Sequence, residues 1–283
     1  MALICLAKIE GIGLTSVFRY PADRLPVAII VALTCLDFAI YFQVEQSWIL
    51  LVFWLVMMIP KGKIGAWNHH HQHTPTFKKK PLNRLLELSY ALHTGATTNV
   101  WVLHHTLGHH MNFLDQQKDE SRWQRKSGEV MGKIEYTLNV AATAHWRAYH
   151  VGKRFPKIQR AFLLYTVLTF LFVAMLTWFK PVQGLFLFVL PMLCGVLLTS
   201  WATFKHHAGL PTDNEFAASR NNLNRFYNIT TGNLGYHTAH HYKQGVHWSR
   251  LPELHEQIKD KIPEELISSG LPVGDWIRRK LAS

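Results

Sequence analysis

Charge of either sign is thin in this sequence. Asp, Glu, Lys and Arg together make 17% of the 283 residues, whereas soluble globular chains carry about 25%. Acidic residues are the scarcer, 18 against 30 Lys and Arg, which leaves a formal net charge of +12. Cysteine is nearly absent. Cys5, Cys35 and Cys194 are far apart, form no CxxC pair, and two of them lie in apolar runs. That spacing argues against a disulfide framework, a zinc ribbon and a built-in iron–sulfur cluster. Several catalytic signatures are also missing. HExxH is absent, which disfavours a zincin-type protease, and there is no GxSxG elbow, no GxxxxGK[ST] loop and no Rossmann fingerprint. No cleavable signal peptide stands out, because the apolar stretch of the first 25 residues is short and broken by Glu10 and glycines.

What is abundant is apolar sequence, 48% of the chain, gathered into two regions. One runs from Pro26 to Pro60 with an interruption at Gln43, Glu45 and Gln46. The other runs from Ala161 to about Phe204, interrupted at Lys180, Pro181 and Gln183. Each is long enough for two spanning helices of about 20 residues. The expected fold is all-α: four transmembrane helices in two hairpins, about 26–60 and 161–204, within one membrane domain covering 1–283. A helical cap would comprise 61–160 and 205–283. Asp37 inside the first helix must face protein or water. The hairpin turns carry only Glu45 and Lys180, while the segment between hairpins holds Lys61, Lys63, Lys78, Lys79, Lys80, Arg84, Arg125, Lys126 and Arg154. The positive-inside rule places that segment and both termini in the cytoplasm. With such runs, the basic balance points to an anionic membrane surface. Nucleic acid is not expected, since no recognition-helix or RNA-binding signature is visible. Within the cap, Leu82 to Leu103 reads as one or two interfacial helices and Glu129 to Ala148 as another helix. Leu210 to Gly235, rich in Asn, Asp, Thr and Gly, reads as a loop, and the tail from Pro263 as ordinary soluble sequence.

The other abundant residue is histidine, with 18 copies, most of them clustered. The first cluster is His69-His70-His71-Gln72-His73, where His69 and His73 share a helix face. The second is His104-His105-Thr106-Leu107-Gly108-His109-His110, which repeats the four-residue spacing at His105 and His109. The third is His237-Thr238-Ala239-His240-His241, and a pair, His206-His207, ends the fourth apolar run. A helix begun near Trp48 crosses a core of roughly 30 Å by about residue 68, and one begun near Gly184 emerges close to His206. Kinks at Pro60 and Pro191 would alter those lengths. Both hairpins thus deliver histidines to one depth. The candidate ligands are His69, His73, His105, His109, His110, His207, His237, His240 and His241. Nine nitrogens exceed one tetrahedral zinc and suit two metals, and neutral imidazole accepts iron, zinc, copper or nickel. His70, His71, His104 and His206 read as supporting or incidental, and His93, His145, His150, His247 and His255 as ordinary surface or core residues. A metal transporter or storage protein is the competing class. It would place polar ligands along the spanning helices, which here hold almost none apart from Asp37.

These boxes resemble those of the membrane fatty acid desaturase and hydroxylase superfamily, whose pattern is HxxxH, Hxx(x)HH and HxxHH around two spanning hairpins. The matches are His69 to His73, His105 to His109-His110, and His237 to His240-His241, and the likeness covers roughly residues 26 to 258. The second box, with glycine before the paired histidines and Asp119, Ser121 and Arg122 after it, is similar to the alkane hydroxylase branch, as is His207-Ala208-Gly209-Leu210. The third box, followed by His247-Trp248-Ser249 and Leu251-Pro252, is similar to the general desaturase grouping, which includes bacterial decarboxylases that make terminal alkenes. The first box departs from the usual form, because His70 and His71 fill its middle. The resemblance implies two non-haem iron ions, O2 as co-substrate, and hydrogen abstraction from a lipid-like or fatty acyl chain. Desaturation leads, with terminal hydroxylation or oxidative decarboxylation to a 1-alkene as alternatives. Electrons would come from a separate donor of ferredoxin, rubredoxin or cytochrome type. Docking of an acidic carrier on a basic surface would be salt-sensitive.

Overall fold

The computed structural model describes residues 17–270. The reading of the N-terminal apolar stretch, Cys5, and the end of the tail lie outside those residues. Among the described residues, four helices are long and apolar enough to cross a membrane: Pro21–Gln43, Ser47–His73, Pro156–Phe179 and Pro181–His207. Only 22–39% of each apolar window is buried against protein. Apolar surface left exposed on this scale needs lipid to cover it. We label Arg24–Gln43 α1, Ser47–His73 α2, Lys80–Thr94 α3, Lys133–Gly152 α4, Pro156–Phe179 α5 and Pro181–His207 α6. The chain is therefore an integral membrane protein of two helical hairpins with further helices at one end.

Polar contacts hold the two hairpin turns together. Lys180 Nζ lies 2.8 Å from Glu45 Oε1, and Gln183 Nε2 donates to the Val44 carbonyl at 3.0 Å. Below them, Tyr41, Leu50, Leu92, Leu187 and Phe188 form an apolar core. Because both turns sit at one end, the far ends of α2 and α6 meet at the other. Each of these helices has 27 residues, roughly 40 Å at 1.5 Å per residue, so each outruns a core of roughly 30 Å. His69, His73, His206 and His207 ride on that overhang.

Two prolines behave differently from a helix stop. Pro60 sits inside α2, which continues to His73. The apolar run ends at Pro60, but the helix does not. Pro191 in α6 is preceded by a π-helical stretch, Leu185–Val189, a widened turn that accommodates the ring and the missing N–H. Lys61, counted among the cap charges, is instead buried. Its Nζ lies 2.7 and 2.8 Å from the two carboxylate oxygens of Asp37 on α1. His93 on α3 closes this polar cluster, with Nδ1 3.5 Å from Asp37 Oδ2 and Nε2 3.0 Å from Thr34 Oγ1. Asp37 thus faces protein and ties three helices.

Between the hairpins, α3 is followed by a π-helix, Val102–His110. Gly95 ends α3 in the left-handed region at φ 69°, and a side chain there would collide with the Met192 carbonyl of α6. The helix expected from Glu129 begins at Lys133. Glu135 Oε2 accepts from Gly132 N at 3.1 Å and fixes that start. The segment expected to be a loop contains a short strand and a helix. Asn221–Asn222 (β1) pairs in parallel with Ile267–Ser268 (β2) of the tail, and Arg225–Thr231 (α7) follows. Asn224 caps α7 by accepting from Tyr227 N at 3.0 Å. His237–Tyr242 (α8) and Leu251–Ile258 (α9) complete the described α-helices of the cap.

Candidate metal centre

Every histidine of the three boxes is buried or nearly so. Their nitrogens converge in two groups suited to a metal ion. One comprises His69, His73, His105, His110 and His240, the other His109, His207 and His241, and within each group the ligand atoms lie within 4.8 Å of one another. The groups are contiguous: the rings of His110 and His241 stack at 4.1 Å, and those of His105 and His109 lie 5.1 Å apart. The ninth candidate, His237, stands at the edge of the second group, its Nε2 3.0 Å from that of His207.

Helix geometry sorts the histidines. On α2, His69 and His73 are one α-turn apart and reach the same group. The second box lies on a π-helix, with more than four residues per turn. There His105 aligns with His110, five residues on, and His109 turns to the other group. The four-residue spacing therefore does not pair His105 with His109. In the third box, short α8 sends His240 to one group and His241 to the other.

Supporting contacts fix which nitrogen faces inward. His109 donates Nδ1–H to Asp119 Oδ1 at 2.8 Å, and His207 donates Nδ1–H to the Ala218 carbonyl at 2.9 Å. Each bond leaves an Nε2 lone pair pointing into the centre. Asparagines in the former loop hold the third box. Asn221 Oδ1 accepts from Thr238 N at 3.0 Å and its Nδ2 donates to Thr238 Oγ1 at 2.8 Å, while Asn228 Oδ1 accepts from Gly235 N at 3.0 Å. Asp119, Asn221 and Asn228 were not assigned this work from sequence. A carboxylate ten residues past His109 was the available signal for Asp119.

The remaining histidines of the clusters support rather than converge. His70 Nε2 donates to the Thr231 carbonyl at 3.0 Å. His71 turns away to Thr76 Oγ1 at 2.9 Å and to Glu87, which also pairs with Arg84. His206 stacks on His237 at 3.9 Å. His247 is core: its Nε2 lies 3.1 Å from Asp23 Oδ1, and Tyr20 stacks on its ring.

The donor set fits metal ions. Nε2 of His73, His109 and His240 and both nitrogens of His241 are buried without a hydrogen-bond partner. Orphaned polar atoms at that density are costly unless something binds them. Burial, and then the neighbouring histidines, push His105, His110, His237, His240 and His241 well below the ordinary imidazole value. Their neutral form, the one that ligates, is favoured.

A cavity of about 860 Å³ opens beside the centre, with His69, His105 and His237 on its wall and Met58, Ile59 and Leu198 at its apolar side. Ile59 is 76% exposed on the outer surface of α2. Gly65 of α2 makes room here, because a Cβ would come within 2.9 Å of Thr199 Oγ1 on α6.

The fold and the site together are those of a membrane protein whose buried histidine cluster could hold metal ions. The family model described as Fatty acid desaturase matches residues 46–269, from the first hairpin turn to the end of β2. The chain belongs to that family of oxidative enzymes. No curated protein and no solved structure matches it.

Proposed function

We propose that this protein is an oxygen-dependent diiron enzyme that oxidises a fatty acyl chain, most directly by desaturation. The observation that carries this reading is the pair of contiguous histidine groups beside a largely apolar cavity between α2 and α6. His69, His73, His105, His110 and His240 would hold one ion, and His109, His207, His241 and His237 the other. Bound iron would supply oxygen reduction and the oxidising strength needed against an unactivated C–H bond.

The chain's own residues do the rest. Asp119 and the Ala218 carbonyl hold His109 and His207 in the ligating tautomer. The asparagine brackets keep α8 in place against ligand exchange. Gly65 and the walls of α2 and α6 admit an extended chain, and exclusion of water by the apolar lining protects the centre from side reactions. Electrons would arrive from a separate carrier protein. The basic residues of the cap, Lys78, Lys79, Arg125 and Lys126 among them, support a cytoplasmic cap and an acidic donor.

Mass spectrometry of lipids and volatiles from expressing cells tests this reading, with His109→Ala as the control. New internal double bonds that vanish in the variant are expected. An added oxygen would make it a hydroxylase, and a terminal alkene one carbon shorter a decarboxylase. Identical profiles for wild type and variant, with electron donor supplied, would overturn the oxidative reading.

A further inference from the structure

Helix α4 is apolar on two opposite sides. Its inner side, with Tyr136, Val140, Ala144, Ala148 and Val151, is buried, and these residues recur at three- and four-residue intervals. Ile134, Leu138, Trp146 and Tyr149 lie on the other side and are exposed, Ile134 to 76% and Trp146 to 63%. At 3.6 residues per turn they fall, with Ala142, within an arc of about 120° that points away from the buried side. Glu135 in the first turn shares that arc and is paired with Arg125. Polar contacts on the inner side fix the rotation of the helix. Tyr136 Oη donates to the Ser121 carbonyl at 3.1 Å, and the buried Arg147 donates to the Glu120 carbonyl and, at 2.7 Å, to Thr143 Oγ1. The outer stripe cannot roll inward without breaking them.

The position of α4 says what covers the stripe. Its first half packs on the cap end of α6, where the rings of Tyr136 and Phe204 lie 5.1 Å apart. Its second half packs on the cap end of α5, where the rings of His145 and Phe162 lie 6.1 Å apart and Gln159 Nε2 donates to the Tyr149 carbonyl at 3.0 Å. The helix thus lies across the ends of two spanning helices, and the neighbouring turns of α5 expose Leu163, Leu164 and Val167. Trp and Tyr are favoured where a membrane meets water, and a lysine stands at either end of the stripe. Lys133 Nζ lies 4.4 Å from the ring centre of Trp201, and Lys153 Nζ 5.3 Å from that of Tyr149. Aliphatic residues along the middle, aromatics beside them and ammonium groups at the ends match the change from acyl chains to headgroups. In water, an apolar stripe of this length is an aggregation liability.

We propose that the outer side of α4 is a membrane-docking surface, with Ile134, Leu138, Trp146 and Tyr149 seated at the boundary between phospholipid headgroups and acyl chains. The chain thus meets the bilayer with a fifth helix that does not span it. The surface is independent of the reaction at the histidine centre. Its inner side holds Glu120 and Ser121, next to Asp119, so the helix that rests on lipid also steadies the carboxylate bonded to His109.

The test is depth-dependent quenching on the full-length, metal-containing protein in phosphatidylcholine–phosphatidylglycerol nanodiscs that hold one chain each. A fluorophore is attached at Leu138→Cys or Trp146→Cys after the native cysteines are replaced by alanine. Val167→Cys on α5 serves as the lipid reference and Lys126→Cys in the cap as the water reference. Labels at 138 and 146 should be quenched several-fold more by a phospholipid with a nitroxide near its headgroup than by aqueous iodide, and the label at 126 the reverse. Iodide quenching at 138 and 146 as strong as at 126 would overturn the proposal. So would protection that appears only when two chains share a disc, which would give the face to a second copy. A measurement on the unaltered chain guards against a variant that misfolds: a phospholipid with a photoreactive headgroup-proximal group should tag peptides carrying Trp146 and Tyr149. Tags on α5 with none on α4 would overturn the proposal as well.

Discussion

The Asp37 cluster and the histidine centre are both buried and polar, and they differ in how completely they satisfy themselves. The Asp37–Lys61–His93 cluster is nearly closed. Both carboxylate oxygens accept from Lys61, and its one nitrogen without a hydrogen bond, His93 Nδ1, lies 3.5 Å from Asp37. The histidine centre is open, with orphaned nitrogens on His73, His109, His240 and His241 aimed at common points. A closed buried network ties helices together, whereas an open one is shaped around something it binds. The contrast separates structure from function among residues that look alike in burial.

The largest expected effect lies in the open cluster. His240→Ala or His109→Ala should abolish product formation while the protein still inserts and purifies. Either variant retaining full turnover would remove that residue from the ligand set. Next comes the closed cluster, where Lys61→Met leaves Asp37 buried and unpaired. A destabilisation of about 3–5 kcal/mol is expected, read as a lower thermal midpoint in detergent, with metal content per folded chain unchanged. Loss of metal without loss of stability would reverse the two assignments. Chelation sharpens the same contrast: removing metal should lower the midpoint of wild type and of Lys61→Met alike, because binding to the native state alone stabilises it. Asp119→Asn is milder. His109 stays but its orienting carboxylate is neutralised, so metal affinity should fall about 10–100-fold and be recovered at high metal concentration.

The smallest effect is on pH. His145 on α4, 3.3 Å from Thr97 Oγ1, is held down to about 4 by burial. Its folded value lies below the unfolded 6.5, so the unfolded chain takes up the proton first. Stability from this residue is full above 6.5 and drains away as pH falls towards 4. His145→Gln should flatten the midpoint–pH profile in that window, and an unchanged slope would show that other histidines set it.

The spans were legible in the sequence because lipid demands long apolar runs, and Ser47–His73 and Pro181–His207 supply them. That histidines would cluster was legible because their spacing survives in one dimension. How they divide was not. His105 pairs with His110 only because Val102–His110 is a π-helix, and no periodicity in that short stretch announces a widened turn. Helix α7 was hidden for a different reason: Asn224, Asn228, Thr230 and Thr231 have weak helix propensity, and the helix is made by capping and by amide brackets to β1 and Gly235. Lys61 read as a cap charge because its partner, Asp37, is 24 residues away on another helix.

The central claim is that two contiguous histidine groups each hold an iron ion. Elemental analysis of the purified protein, counted per folded chain beside His109→Ala, tests it most directly. The account predicts two irons in the wild type, with the loss in the variant confined to the group of His109, His207 and His241. Wild-type protein that forms product with one ion per chain, or with none, would contradict it.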